Sequence, residues 1–242
     1  MLATEHIDHL ESDGALLAAS AADAGWDAPV PATDWTVRDL VTHVGGIHRW
    51  AAAIVRDGSS RTDIDEARAV GVGPADDELL DWFRDGHRAL VDTLRSASDA
   101  LECATFLPAS SAYAFWCRRQ AHETAIHRAD AQAAGGAVTP FDTAFAQDGI
   151  SEMLTGFAAR KSNAIPDSRV LALQPSDGQC WQVTMGGERL VAEPDDLPGG
   201  DAIVRGTSSA IYLWLWNRPS DVIIGGDADT AVLWRTVRVT WG

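Results

Sequence analysis

Lysine is nearly missing from this chain: Lys161 is the only one, and arginine supplies every other basic residue. The 19 basic residues face 35 acidic ones, for a formal net charge of -16, and no basic block occurs anywhere. A nucleic-acid duplex or an anionic membrane would be repelled by such a surface, so neither is expected as a partner. Long apolar runs are absent too, the uncharged stretches being too short to span a bilayer. The start, MLATEHIDHLESDG, is acidic and polar, unlike the basic-then-apolar opening of a secretory signal. Cysteine is scarce and odd in number. Cys103, Cys117 and Cys180 lie at long, unrelated spacings that make neither a disulfide framework nor a cysteine-based zinc site, and they suit a reducing compartment. These absences together lead to the expectation of a cytoplasmic protein. Also lacking are a glycine-rich phosphate loop, a GxSxG elbow and any visible Ser-His-Asp arrangement.

What is present is an ordinary globular composition, 46% hydrophobic and 22% charged over 242 residues, enough to bury a proper core. The first two-thirds has helical periodicity. HIDHLESDGALLAASAADAG (6–25) puts Ile7, Leu10, Leu16 and Leu17 roughly on one face. A second helix opens at a Thr36–Asp39 capping-box pair and carries Val37, Leu40, Val41, Val44, Ile47 and Ala51 at helical spacing. Gly45 and Gly46 weaken it by about 1 kcal/mol each relative to alanine, which suggests that a backbone or a ligand approaches closely there. Further helices are expected over 74–98, about 110–134, and 142–162, making an up-and-down bundle of four or five helices. After residue 163 the period changes to 2. RVLALQP, CWQVTM, RLVAEP, DAIVRG and VIIGG read as strands, while 208–220 and 227–237 read as short helices on that sheet. The expected layout is a helical domain over 1–163 and a small α+β domain over 164–242.

The stretch QAHETAIHRADAQ (120–132) places Glu123 and His127 four residues apart on the fourth helix. At that spacing the two side chains differ by about 40° of rotation and about 6 Å of rise, so both can address one point. His122, roughly 100° round from Glu123, cannot easily share it. His43 lies within the apolar stripe of the second helix, facing the bundle interior. If helices two and four are neighbours, His43, Glu123 and His127 form a two-histidine, one-carboxylate set suited to a metal. The same residues also read as a surface ion pair worth a few tenths of a kcal/mol plus a hydrogen-bonded buried histidine, and spacing leaves both readings open. His6, His9 and His87 read as solvated or core-edge residues. Cys117, about 120° from Glu123 on the same helix, reads as a small core residue.

DWTVRDLVTHVGGIHRW (34–50) followed by RRQAHETAIHRADAQ (118–132) resembles the two signature helices of the mycothiol-dependent maleylpyruvate isomerase family, within the DinB-like bundle superfamily. LALQPSDGQCWQVTM, DAIVRGTSSAIYLWLWNRP and IGGDADTAVLW resemble that family's C-terminal, sterol-carrier-like domain. The resemblance covers nearly the whole chain. It implies a DinB-like bundle followed by an α+β domain, and metal ligands His43, Glu123 and His127, with glutamate where commoner DinB proteins use a third histidine. It further implies a divalent metal, with Zn²⁺ favoured by the donor set and Fe²⁺ and Ni²⁺ also compatible. Mycothiol is the implied cosubstrate, its metal-bound thiolate attacking a small electrophile by cis-trans isomerisation or S-transfer.

Substrate carboxylates call for arginine. Arg88 and Arg218 are the candidates, with Arg84 and Arg205 behind them, and Trp214 and Trp216 are candidates to wall a ligand cleft. A monomer or homodimer is expected. A metal-dependent hydrolase without thiol, or a binding protein with a structural metal, are the alternatives.

Overall fold

The computed structural model describes residues 1–61, 72–160, 167–186 and 189–236. The chain divides into two compact units, Met1–Thr139 and Pro140–Trp241. The boundary expected after residue 163 falls among residues outside the described set. The observed division comes earlier, at Thr139, and assigns the fifth helix to the second unit rather than to the bundle.

Four helices form the first unit among its described residues: α1 (Ala3–Ala24), α2 (Val37–Asp57), α3 (Asp76–Ser96) and α4 (Ala112–Gly135). In cross-section α1 neighbours α3 and α4, and α2 likewise neighbours both. Leu17, Val37, Leu40, Val41, Val44, Leu79 and Phe83 make a buried apolar cluster from three of these helices. The capping pair expected at the start of α2 is present. Asp39 N donates to Thr36 Oγ1 (3.3 Å), and Thr36 N donates to Asp39 Oδ2 (2.9 Å).

Gly45 in α2 has a packing explanation. A Cβ on Gly45 would lie 2.3 Å from the ring of Trp82 on α3, so the close approach is by an indole rather than by a backbone or ligand. The contact is reciprocal: a Cβ on Gly86 of α3 would lie 2.1 Å from Arg49 Nη1 of α2. Arg49 donates to the carbonyls of Gly45 and Trp82, and its guanidinium sits 3.9 Å above the Trp82 ring. Gly45→Ala should therefore reverse the usual helix-propensity gain of about 1 kcal/mol. Overpacking should lower stability by about 1–3 kcal/mol, measured by urea unfolding.

α4 is buried on nearly every face from Phe115 to Ala131. Several of its polar residues are bonded to neighbouring helices. Arg128 Nε donates to Asp13 Oδ1 of α1 (3.1 Å), a buried pair joining two helices, and Thr124 Oγ1 bonds His48 Nε2 of α2 (2.9 Å). Such groups tolerate burial only when paired.

The second unit begins with α5 (Thr143–Ser151), which continues as a π-helical turn, Glu152–Phe157, and a 3₁₀ turn, Ala158–Arg160. Five strands follow: β1 (Arg169–Pro175), β2 (Trp181–Met185), β3 (Val191–Pro194), β4 (Ala202–Gly206) and β5 (Ile223–Gly226), in sheet order β3-β2-β1-β4-β5. β1 runs parallel to β4, with Leu171 opposite Ala202, and the other pairings are antiparallel. α6 (Ser208–Leu215) separates β4 from β5, and α7 (Ala228–Leu233) ends in a 3₁₀ turn, Trp234–Thr236. Asp177 accepts bonds from Ser208 N, Ser208 Oγ and Thr143 Oγ1, tying α6 to α5. These bonds outweigh the cost of burial and hold its carboxyl below the usual aspartate range. The α+β class and all five strands read from the sequence are present.

Candidate metal centre

The neighbouring α2 and α4 bring His43, Glu123 and His127 together, each offering a ligand atom within 4.8 Å of the others. Glu123 Oε1 lies 3.5 Å from His43 Nε2 and 3.3 Å from His127 Nε2. For metal–ligand bonds of about 2.0–2.1 Å, two ligands of a tetrahedral ion stand about 3.4 Å apart, so both separations suit one cation. His43 meets the set because α2 is registered by its apolar stripe: Leu40, Val44 and Ile47 are buried and carry the intervening histidine to the α4 side.

A second layer of charge backs the three donors. Arg119, one turn before Glu123 and fully buried, donates Nη2–H to Glu123 Oε2 at 3.3 Å, leaving Oε1 turned towards the histidines. Asp130 Oδ2 accepts from His127 Nδ1 at 2.9 Å, which leaves Nε2 on the glutamate side. A carboxylate behind a ligating imidazole fixes its tautomer and strengthens it as a donor. Burial opposes the charge on Glu123, but hydrogen bonds from His127 and His43 and the charges of His127 and Arg119 win, holding its carboxyl well below the usual range. Burial likewise opposes protonation of His127, and the bonds to Asp130 and Glu123 overcome it, lifting the ring to about 9.

In the metal-free site a proton on His127 Nε2 therefore stands where a cation would be held. Cation binding must displace that proton, so apparent affinity should rise about tenfold per pH unit through neutrality and level off near pH 9. Calorimetric titration with zinc at pH 7 in buffers of different ionisation enthalpy should show about one proton released.

Trp35, in the loop before α2, covers the cluster. Its ring centroid is 4.8 Å from that of His43 and 5.9 Å from that of His127, with its plane inclined 30° to the latter. The sequence reading did not single out Arg119, Asp130 or Trp35. Spacing carried a signal for two of them, since Arg119 precedes Glu123 by one i,i+4 step and Asp130 follows His127 by i,i+3.

His122 points elsewhere, its ring packed edge-on against His6 at 5.8 Å. His87 is a core-edge residue whose Nε2 lies 3.3 Å from the Glu11 carbonyl. Cys117 is fully buried, and burial pushes its thiol up to about 12, so it stays protonated and serves as packing.

Arg88 is not brought to the cluster. It lines a groove between α1 and α3 and is bonded to Asp85 on its own helix, as Arg84 is to Asp81. Arg218 lies in the second unit and donates to the Trp216 carbonyl at 2.9 Å. In the same unit Trp214 is buried and stacks on Trp234, Trp216 packs edge-on against Phe157, and Arg205 bonds Gln174.

A four-helix bundle with an inward two-histidine, one-carboxylate cluster, joined to a small α+β unit, is thus the class of protein the coordinates define. Residues 7–132 match the family described as mycothiol maleylpyruvate isomerase N-terminal domain, and residues 144–233 match the MDMPI C-terminal domain. The chain belongs to the mycothiol maleylpyruvate isomerase family. Two solved structures share the fold: the mycothiol-dependent maleylpyruvate isomerase and a histidine-to-alanine mutant of it. Their TM-scores are 0.63 and 0.64, each at 14% identity over 93% of both chains. No curated protein matches. Among the described residues, no helix is long and apolar enough to cross a membrane.

Proposed function

We infer that the chain is a metal-dependent, thiol-dependent enzyme of the cytoplasm, holding a divalent cation, zinc by preference, on His43, Glu123 and His127. Mycothiol is its cosubstrate and a small electrophile its substrate, either a cis-alkene to be isomerised, as maleylpyruvate is, or a partner for S-transfer. The observation that carries this reading is the convergence of three donors with unequal exposure. Glu123 and His127 have side chains only 6% and 10% exposed, whereas that of His43 is 33% exposed. A site closed at the back and reachable at one ligand suits chemistry better than a closed structural metal.

A bound divalent cation supplies Lewis acidity, which makes a thiolate at neutral pH from a thiol that ordinarily titrates near 8.5. The chain's own groups do the rest. Glu123 presents Oε1 between two imidazoles while Arg119 restrains Oε2, so the carboxylate cannot swing to bind through both oxygens without giving up that bond. Asp130 keeps the His127 proton on Nδ1. The buried floor keeps water away from the reacting sulfur, and the approach is left to the His43 and Trp35 side. In the isomerase case the thiolate adds to the double bond, the resulting single bond rotates, and the thiolate leaves.

Metal analysis of protein purified under metal-replete conditions, paired with turnover of maleylpyruvate in the presence and absence of mycothiol, tests this reading. We expect close to one metal per chain and turnover only with the thiol. Less than about a tenth of a metal per chain would remove the reading, since three donors set for one cation bind it stoichiometrically. Full turnover without thiol would replace it with metal-activated water.

A further inference from the structure

We propose that His48 is a positioning residue for the metal centre: its buried hydrogen bond to Thr124 sets the register of α2 on α4, and with it the reach of His43 to Glu123 and His127. This rests on the metal reading above and adds to it a residue outside the cluster that governs how tightly the cation is held.

An imidazole is a costly filling for the place His48 occupies. The residue is fully buried, and its Nδ1 has no hydrogen-bond partner. Burial first, and then the neighbouring His87, hold the ring well below the usual histidine range, so it is neutral at pH 7. Its surroundings would suit an apolar side chain. The rings of Phe83 and His87 on α3 lie 5.5 Å and 5.3 Å away, and Val44, Ile47, Ala51 and Ala52 around it on α2 are all buried. What the imidazole gains is one directional contact: Nε2 lies 2.9 Å from Thr124 Oγ1 on α4, and Thr124 is itself fully buried. Fixing register is the best-attested use of buried polar groups that an apolar residue could replace.

Register needs such a contact here, because α2 packs mainly on α3 and more lightly on α4. His43 meets α4 at one place, and a single contact leaves a helix free to rotate and slide about it. His48 lies about 7.5 Å further along α2 and about 140° round from His43. Its partner Thr124 is the residue next to Glu123, so the two contacts together fix both the rotation and the slide. The margin is narrow. His43 Nε2 stands 3.5 Å from Glu123 Oε1, close to the spacing of two ligands on one tetrahedral ion, and a binding constellation tolerates errors of only about 0.5 Å.

The test measures two quantities on the full chain: zinc affinity at pH 7, by competition with a chromophoric chelator, and the urea midpoint of the metal-free protein. The double variant His48→Leu, Thr124→Val replaces both partners with apolar groups of similar size. Its urea midpoint should equal or exceed that of the wild type, while zinc should bind about tenfold or more weakly. Thr124→Ser keeps the hydroxyl and should stay within about twofold of wild-type affinity. A bond that merely joins two helices predicts the reverse, a lower midpoint with unchanged affinity, and that result overturns the proposal. Wild-type affinity in the double variant overturns it whatever the midpoint. Should the double variant be destabilised or fail to fold, Thr124→Val against Thr124→Ser decides: weaker zinc binding by the valine variant supports the proposal, and equal binding overturns it. Wild-type protein that takes up no zinc would instead bring down the metal reading itself.

Discussion

Glu123→Ala should lower the stability of the metal-free protein by about 3 kcal/mol and its melting temperature by roughly 10 °C, as well as abolish cation binding. The carboxylate is 6% exposed and accepts from a fully buried arginine at 3.3 Å, so its removal takes a counter-charge away from a guanidinium that water cannot reach. It also takes one of two carboxylates from the raised His127 ring, leaving Asp130 alone to hold that charge. Glu123→Gln keeps the shape and an oxygen for Arg119 but not the charge, so its stability loss should be less than half as large while cation affinity still falls. Differential scanning calorimetry on chelator-treated protein separates the two. If Glu123→Ala melts with the wild type, the carboxylate is not the counter-charge described here.

The opposite pattern is expected for His43→Ala. Its side chain is 33% exposed and shares the cluster with buried groups that remain bonded to one another, so metal-free stability should change by less than about 1 kcal/mol. Two donors remain, and zinc occupancy should fall below about a tenth per chain. Thiol-dependent turnover should drop by about a thousandfold, the equivalent of some 4 kcal/mol of transition-state stabilisation. Added zinc should raise the wild-type melting temperature by mass action and leave that of the variant where it was. Retained turnover with lost metal would separate the chemistry from the cation altogether.

These two variants differ because the three donors occupy different physical positions, and only part of that difference was readable in advance. The spacing of Glu123 and His127 made a shared target geometrically available. Yet the same ExxxH pattern describes many surface ion pairs, and nothing local distinguishes the two. The deciding fact is that α4 is buried on almost all sides, which removes solvent as a partner and makes each charge on it answer to another. Arg119 and Asp130 were visible at the right helical intervals, but an interval gains meaning only once the helix face is known to be dry.

Trp35 and the α2 glycines make the same point from the other direction. The capping pair at Thr36 and Asp39 was legible because capping is local chemistry over four residues. What the loop before it presents, and to which rings, depends on α4, some ninety residues away by sequence number. Gly45 and Gly46 announced a close approach without naming its source. An indole from α3 fills the space at Gly45, and periodicity has no means of assigning side-chain partners between helices.

The sequence by itself determined the helices and strands, their order, the strongly acidic net charge, and the pairing of a carboxylate with an imidazole on one face of α4. Those follow from interactions spanning a few residues or from sums over the whole chain. Tertiary structure decided that His43 reaches that face, that Arg119 and Asp130 back it, that Arg88 lies elsewhere, and that the fifth helix belongs to the second compact unit. Each of these depends on which helices pack side by side and on how much water remains between them.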